Sequence, residues 1–83
     1  MVLDYSVAQN NVIINVTNNG SKTGEFVEAT VLFFDSNNKL VYTDTTYITD
    51  EDSEIKPGAT ITKQASSYED FDHVEVYMEG RAK

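Results

Sequence analysis

The residues that could act chemically are few, and they gather late in an 83-residue chain. His73, the only histidine, follows Asp72 directly, with Asp70 close by and Ser66 and Ser67 just upstream. A serine–histidine–aspartate relay needs a held nucleophile and an oxyanion hole. No nucleophile elbow and no glycine-rich donor loop accompany these residues. His73 therefore reads as an exposed histidine opening a strand.

A second group is acidic. Asp50, Glu51, Asp52 and Glu54 could attract calcium, an ion that takes roughly six to eight oxygens in a defined geometry. Their spacing lacks the EF-hand pattern and its internal glycine, so the stretch from Asp50 to Glu54 reads as a solvated acidic loop. Glu69, Asp70 and Asp72 read the same way. The chain has no cysteine, which removes disulfides, thiolate zinc sites and thiol chemistry. Lys63 could enter a lysine–asparagine isopeptide bond only if it were buried beside a carboxyl group. A snorkelling or outward lysine is the simpler reading. Asn15-Val16-Thr17 and Asn19-Gly20-Ser21 match the glycosylation sequon, but Asn15 falls inside a strand. The expectation is a protein without catalytic, cofactor-binding or metal-binding residues, and not an enzyme.

Charge narrows the partners. Fourteen acidic residues against six basic ones give a net charge of −8. That field repels a phosphate backbone and disfavours anionic membranes, so nucleic acid is not an expected partner. No signal peptide and no apolar run of membrane-spanning length is read, and direct membrane insertion is not expected.

The elements that must position these residues are strands. β-Branched and aromatic residues recur in short runs separated by turn chemistry. Strands are expected at Leu3–Ala8, Val12–Thr17, Glu25–Asp35, Lys39–Thr49, Ala59–Ser66 and His73–Glu79. Turns are expected at Gln9-Asn10-Asn11, at Asn18-Asn19-Gly20-Ser21 (with Gly20 at positive φ) and at Asp35-Ser36-Asn37-Asn38. A type II turn is expected at Pro57-Gly58. A single helical turn fits Ser67–Asp72, and the tail from Gly80 to Lys83 should fray. In the Lys39–Thr49 strand, Leu40, Tyr42 and Ile48 share a face with Asp44; a bulge near Asp44 would reconcile the pattern. The expected core is Val12, Ile14, Val16, Val27, Ala29, Val31, Phe33, Ile61, Val74 and Val76. Six to seven strands at about ten-residue spacing predict one domain over residues 1–83, an all-β, immunoglobulin-like antiparallel sandwich.

The stretches Asn15-Val16-Thr17-Asn18-Asn19-Gly20, Val31 to Val41 and Ile55-Lys56-Pro57-Gly58-Ala59 resemble the FxLYD domains. These are immunoglobulin-like modules of bacterial surface proteins and lipoproteins. Val31 stands where that family has its name-giving Phe, and Asn38 where the hairpin Gly often sits. Val16 to Gly24 is also similar to bacterial cell-adhesion-related domains. The resemblance implies an extracellular or cell-surface location and a non-catalytic module. Such a module acts as a spacer or as a domain that binds protein, glycan or neighbouring domains of its parent chain. An alternative is a peptide-binding adaptor or proteinase inhibitor that captures extended chains by strand addition, with the first strand and Lys39–Thr49 as the edges. By alternation, Phe26, Leu32 and Phe34 point outward from the third strand, and Tyr47 and Tyr77 from its neighbours. These five form the expected contact surface.

Overall fold

The computed structural model describes residues 1–49 and 53–82. Seven strands run in chain order: β1 (Val2–Ala8), β2 (Asn11–Thr17), β3 (Gly24–Phe34), β4 (Leu40–Tyr47), β5 (Glu54–Ile55), β6 (Thr60–Ser66) and β7 (His73–Ala82). One antiparallel sheet has the order β1-β2-β6. In the other, β3 is central. Its residues 28–34 pair with β4 and with β7, and Gly24 and Glu25 pair with both β5 and β7. β4 and β5 therefore share one edge of β3, and β7 takes the opposite edge. The two sheets pack face to face as an immunoglobulin-like sandwich.

Period-two alternation builds the core. Val12, Ile14 and Val16 of β2 face Val27, Ala29, Val31 and Phe33 of β3, and all seven are fully buried. Ile48, Ile55 and Ala65 complete this centre. Ile61, Val74 and Val76 also turn inward but stay only half-buried, because they lie on edge strands. Phe71 closes one end, with its ring edge on Phe33 at 4.8 Å.

The turns obey their chemistry at two sites. Asn38 has φ 63° and Gly58 φ 85°. The Asp35 carboxylate accepts from the Asn37 and Lys39 amides, each at 2.9 Å, and so fixes the β3–β4 hairpin. Elsewhere the residues differ from expectation. Gln9, not an asparagine, takes positive φ between β1 and β2. Gly20 has ordinary φ, since β2 and β3 lie in different sheets and Asn18 shapes the connection with its side chain. Asn18 is buried. Its amide donates to the carbonyls of Lys22 at 2.7 Å and Ile55 at 2.9 Å, and its oxygen accepts from the Gly20 amide at 3.0 Å.

Three further expectations are corrected. Residues 67–72 form bends, not a helical turn. The strand does not stop at Glu79: β7 continues to Ala82 because Gly24 and Glu25 offer it pairing partners, and Lys83 lies outside the described residues. The irregularity in β4 is not at Asp44. It lies between Tyr42 and Leu40, opposite Phe33 and Phe34, so Leu40 faces out while Tyr42 and Asp44 both face in.

A second bulge sits in β3. Glu28 pairs with Glu79 and Glu25 with Arg81, so Phe26 and Val27 together oppose Gly80. Phe26 adopts φ 53° there, an unusual conformation for a bulky residue. The Thr49 hydroxyl accepts from the Val27 amide at 2.9 Å, and Val27 O accepts from the amides of Ile48 and Thr49. Met1 packs over Gly24, whose pairing partner is Ala82, so residues 1 and 82 lie at the same end of the sandwich.

Candidate functional site

The outer face of the β4-β3-β7 sheet carries four of the five side chains singled out by alternation. Cross-strand rows place Tyr47 beside Glu28, Tyr77 beside Thr30, Leu32 between Thr43 and Glu75, and Phe34 between Leu40 and His73. Tyr47 is 62% exposed and Tyr77 54%, while Leu32 and Phe34 are half-buried. The two tyrosines sit on opposite edge strands with Glu28 and Thr30 between them. Leu32 and Phe34 lie further along the same face of β3. Phe26, 44% exposed, occupies the bulge and breaks the alternation. The face is thus a mixture of aromatic rings and the carboxylates of Glu28, Glu75 and Glu79.

At one end of this face His73 stacks on Phe34, with ring centroids 5.3 Å apart. Its Nδ1 lies 2.9 Å from an Asp72 carboxylate oxygen, and its Nε2 lies 2.9 Å from Asn38 Oδ1. His73 therefore ties the β3–β4 turn to the start of β7. Ser67 is buried, and its hydroxyl bridges the amide and carbonyl of Glu69. The Ser66 amide donates to Asp44 Oδ2 at 3.1 Å. The serines and the histidine are thus engaged separately and do not form a relay. Lys63 is exposed, and Asn15 accepts from the Thr62 hydroxyl at 2.6 Å on the outer face of the other sheet. Among the described residues, no group of His, Asp or Glu is placed to hold a metal ion. Asp50, Glu51 and Asp52 lie outside the described residues, and the calcium reading of that loop with them.

No family model, curated protein or solved structure matches the chain.

The two lateral seams of the sandwich, where an edge of one sheet faces an edge of the other, differ in chemistry. At the β4/β6 seam, Asp44 of β4 reaches the Ser66 amide of β6. Lys63, opposite Ile14 and so on the inward side of β6, extends to solvent. Inward charges of this kind protect sheet edges. At the β1/β7 seam the inward side chains are Leu3, Tyr5 and Val7, paired with Val16, Ile14 and Val12, and Val74, Val76 and Met78, paired with Phe33, Val31 and Ala29. None is charged. Tyr5 remains 41% exposed and Val7 48%, although their partners on β2 are fully buried. A depression of about 510 Å³ lies where β7 finishes, between Met1, the Asn18–Lys22 connection, Gly24 and Val27 of β3, and Met78 to Gly80 of β7; Leu3, Tyr5 and Val7 do not line it. Among the described residues β7 pairs with β3 alone, which leaves its outer edge without a strand. The sequence shows the apolar alternation of β7, whereas β1 reads as a weakly patterned strand. It does not show that both strands end up at edges on the same side, because strand order is a property of long-range pairing.

Proposed function

We propose that this chain is a non-catalytic module of a bacterial secreted or cell-surface protein, acting as a spacer or as a domain that binds protein or glycan. One observation carries the reading: the side chains capable of chemistry are spent on architecture. His73 joins a turn to a strand, Ser67 holds a bend, Asp35 builds a hairpin and Asp44 spans a seam. The immunoglobulin-like sandwich and the resemblance to FxLYD domains support the location. Antibodies raised against residues 1–83 should label intact cells of the source organism, and external protease should remove the label. Hydrolysis of an ester, glycoside or peptide panel that disappears in His73→Ala would overturn the non-catalytic part.

A second reading, capture of an extended peptide by strand addition, is favoured by the open edge of β7. β1 and β4 are edges as well, but β7 combines a free backbone edge with a half-uncovered apolar wall. The outer aromatic face is a separate contact surface. A Leu32→Ser, Phe34→Ser double variant that stays folded and loses a bound partner would support it; one that merely unfolds would remove it.

A further inference from the structure

We infer that the β1/β7 seam is a receptor groove for one extended segment of a partner protein, with apolar side chains at alternate positions and basic ones between them. The inference rests on the strand-addition reading and gives it a place and a ligand chemistry.

The backbone supplies the first requirement. β7 is ten residues long, β3 uses one of its edges, and no described residue pairs with the other. Every second peptide unit along an edge strand presents an N–H and a C=O to whatever lies beside it. A strand laid there continues the sheet past β7, on the side where β1 is the edge strand of the facing sheet.

The side chains supply the second. Alternation sends every second residue of an added strand into the sandwich. There it meets Val74, Val76 and Met78 on one wall and Leu3, Tyr5 and Val7 on the other. These are apolar or aromatic and partly uncovered, while their neighbours on β2 and β3 are fully buried. Filling that space with Val, Ile or Leu side chains removes both walls from water. The opposite seam cannot offer this, since Lys63 and Asp44 put charges where apolar side chains would go.

Charge sets the remaining positions. Residues of the added strand that point outward lie beside His73, Glu75, Tyr77 and Glu79, and Glu28 stands directly across from Glu79. The whole chain carries −8. Lys or Arg at those positions is drawn in, and Glu or Asp repelled. The same charge argues against a second copy as occupant, because each copy brings the same acidic field.

The probe is a fluorescein-labelled synthetic peptide of about nine residues, alternating Val or Ile with Lys or Thr, enough to span most of β7 at the rise of an extended strand. It is compared with the same peptide carrying Glu for Lys and with one carrying a central Pro. Anisotropy should show saturable binding of the Lys peptide, weaker by roughly tenfold or more for the Glu and Pro versions, since like charges repel and Pro cannot donate to the ladder. Hydrogen exchange should show new protection in β7. Val7→Lys changes an exposed wall residue; folded by circular dichroism, it should bind at least ~10-fold more weakly, as a buried charge in an apolar groove predicts. Leu40→Lys, on the outer face of β4, should bind like the parent. Glu75→Lys with Glu79→Lys should shift the preference to the Glu peptide.

Protection appearing in β4 instead of β7 overturns the seam but leaves strand addition standing. No binding by any peptide and no edge gaining protection overturns both. Unchanged binding in folded Val7→Lys overturns the groove. A dimer in sedimentation with β7 already protected in the absence of peptide assigns the groove to a second copy and overturns the basic partner.

Discussion

At the scale of single residues, Asn18 holds together more of the molecule than any side chain that alternation would select. It follows the last residue of β2, and its three side-chain hydrogen bonds reach Gly20, Lys22 and Ile55 from a position only 2% exposed. Asn18→Ala would strand those backbone groups, and each buried unpaired group costs about 1–3 kcal/mol. We expect a loss at the upper end of that range in urea unfolding, with an unchanged m-value. A loss within the scatter of exposed substitutions would show that water replaces the amide. The sequence marks Asn18-Asn19-Gly20 as a turn, but it ascribes the turn to Gly20. The real agent is a buried amide whose partners lie up to 37 residues away, on β5. Phe33 is the simpler case. Fully buried between Tyr42 and Phe71, it sits where period two puts it. Phe33→Ala should cost about 3–5 kcal/mol, a large share of a small domain's stability.

At the scale of elements, patterns within a strand were legible and patterns between strands were not. The inner faces of β2 and β3 follow directly from alternation. The phase of β4 does not, because Val41 is an extra residue that moves Leu40 to the outer face while leaving Tyr42 and Asp44 inside. The bulge of Phe26 and Val27 against Gly80 is hidden for the same reason: a bulge is defined by the partner strand. Its physical mark is the space at Gly80. A Cβ there would lie 2.8 Å from Val27 Cγ2 and 3.2 Å from Val27 Cα, and the latter is backbone that cannot step aside. Gly80→Ala should therefore destabilise by about 1–3 kcal/mol, the range for overpacking, even though Ala is the better residue for an ordinary strand. A neutral or stabilising result in thermal unfolding would mean that β7 separates from β3 at that point. The outer face of β3 and its neighbours was legible only in part. Alternation found Leu32, Phe34, Tyr47 and Tyr77 on one face, but the placing of Glu28 and Thr30 between the tyrosines required the register.

At the scale of the whole molecule, charge is the dominant property that the fold does not neutralise. Acidic residues outnumber basic ones fourteen to six, and Glu28 and Glu79 lie directly opposite each other across β3 and β7. A net charge of −8 on 83 residues then acts as self-repulsion spread over a small surface. Raising sodium chloride from about 10 mM to 150 mM shortens the screening length from roughly 30 Å to 8 Å, the lower value well inside the 40 Å long axis of the sandwich. The melting temperature should rise over that interval, and a fall would show that attractive pairs outweigh the repulsion. The fold class was legible from strand spacing and composition. The strand order was not, and the apolar seam between β1 and β7 is a consequence of that order.

The shared end of residues 1 and 82 has a mechanical meaning. Tension applied through those two residues pulls both in opposite directions from one end of the sandwich, along neither sheet. Val2 parts from Thr17 first, and Ala82 from Gly24, after which each ladder opens one rung at a time. A ladder opened rung by rung bears far less load than one whose hydrogen bonds are all sheared together. Little contour is gained until the edge strands peel away, so a pulled chain would see this domain as a side-mounted knob with a weak zip. A tether made of such units would gain reach by giving way, not by standing stiff. A strand seated beside β7 would add a second row of hydrogen bonds to the strand that must peel. Occupancy of the seam would thereby set the force at which the zip opens.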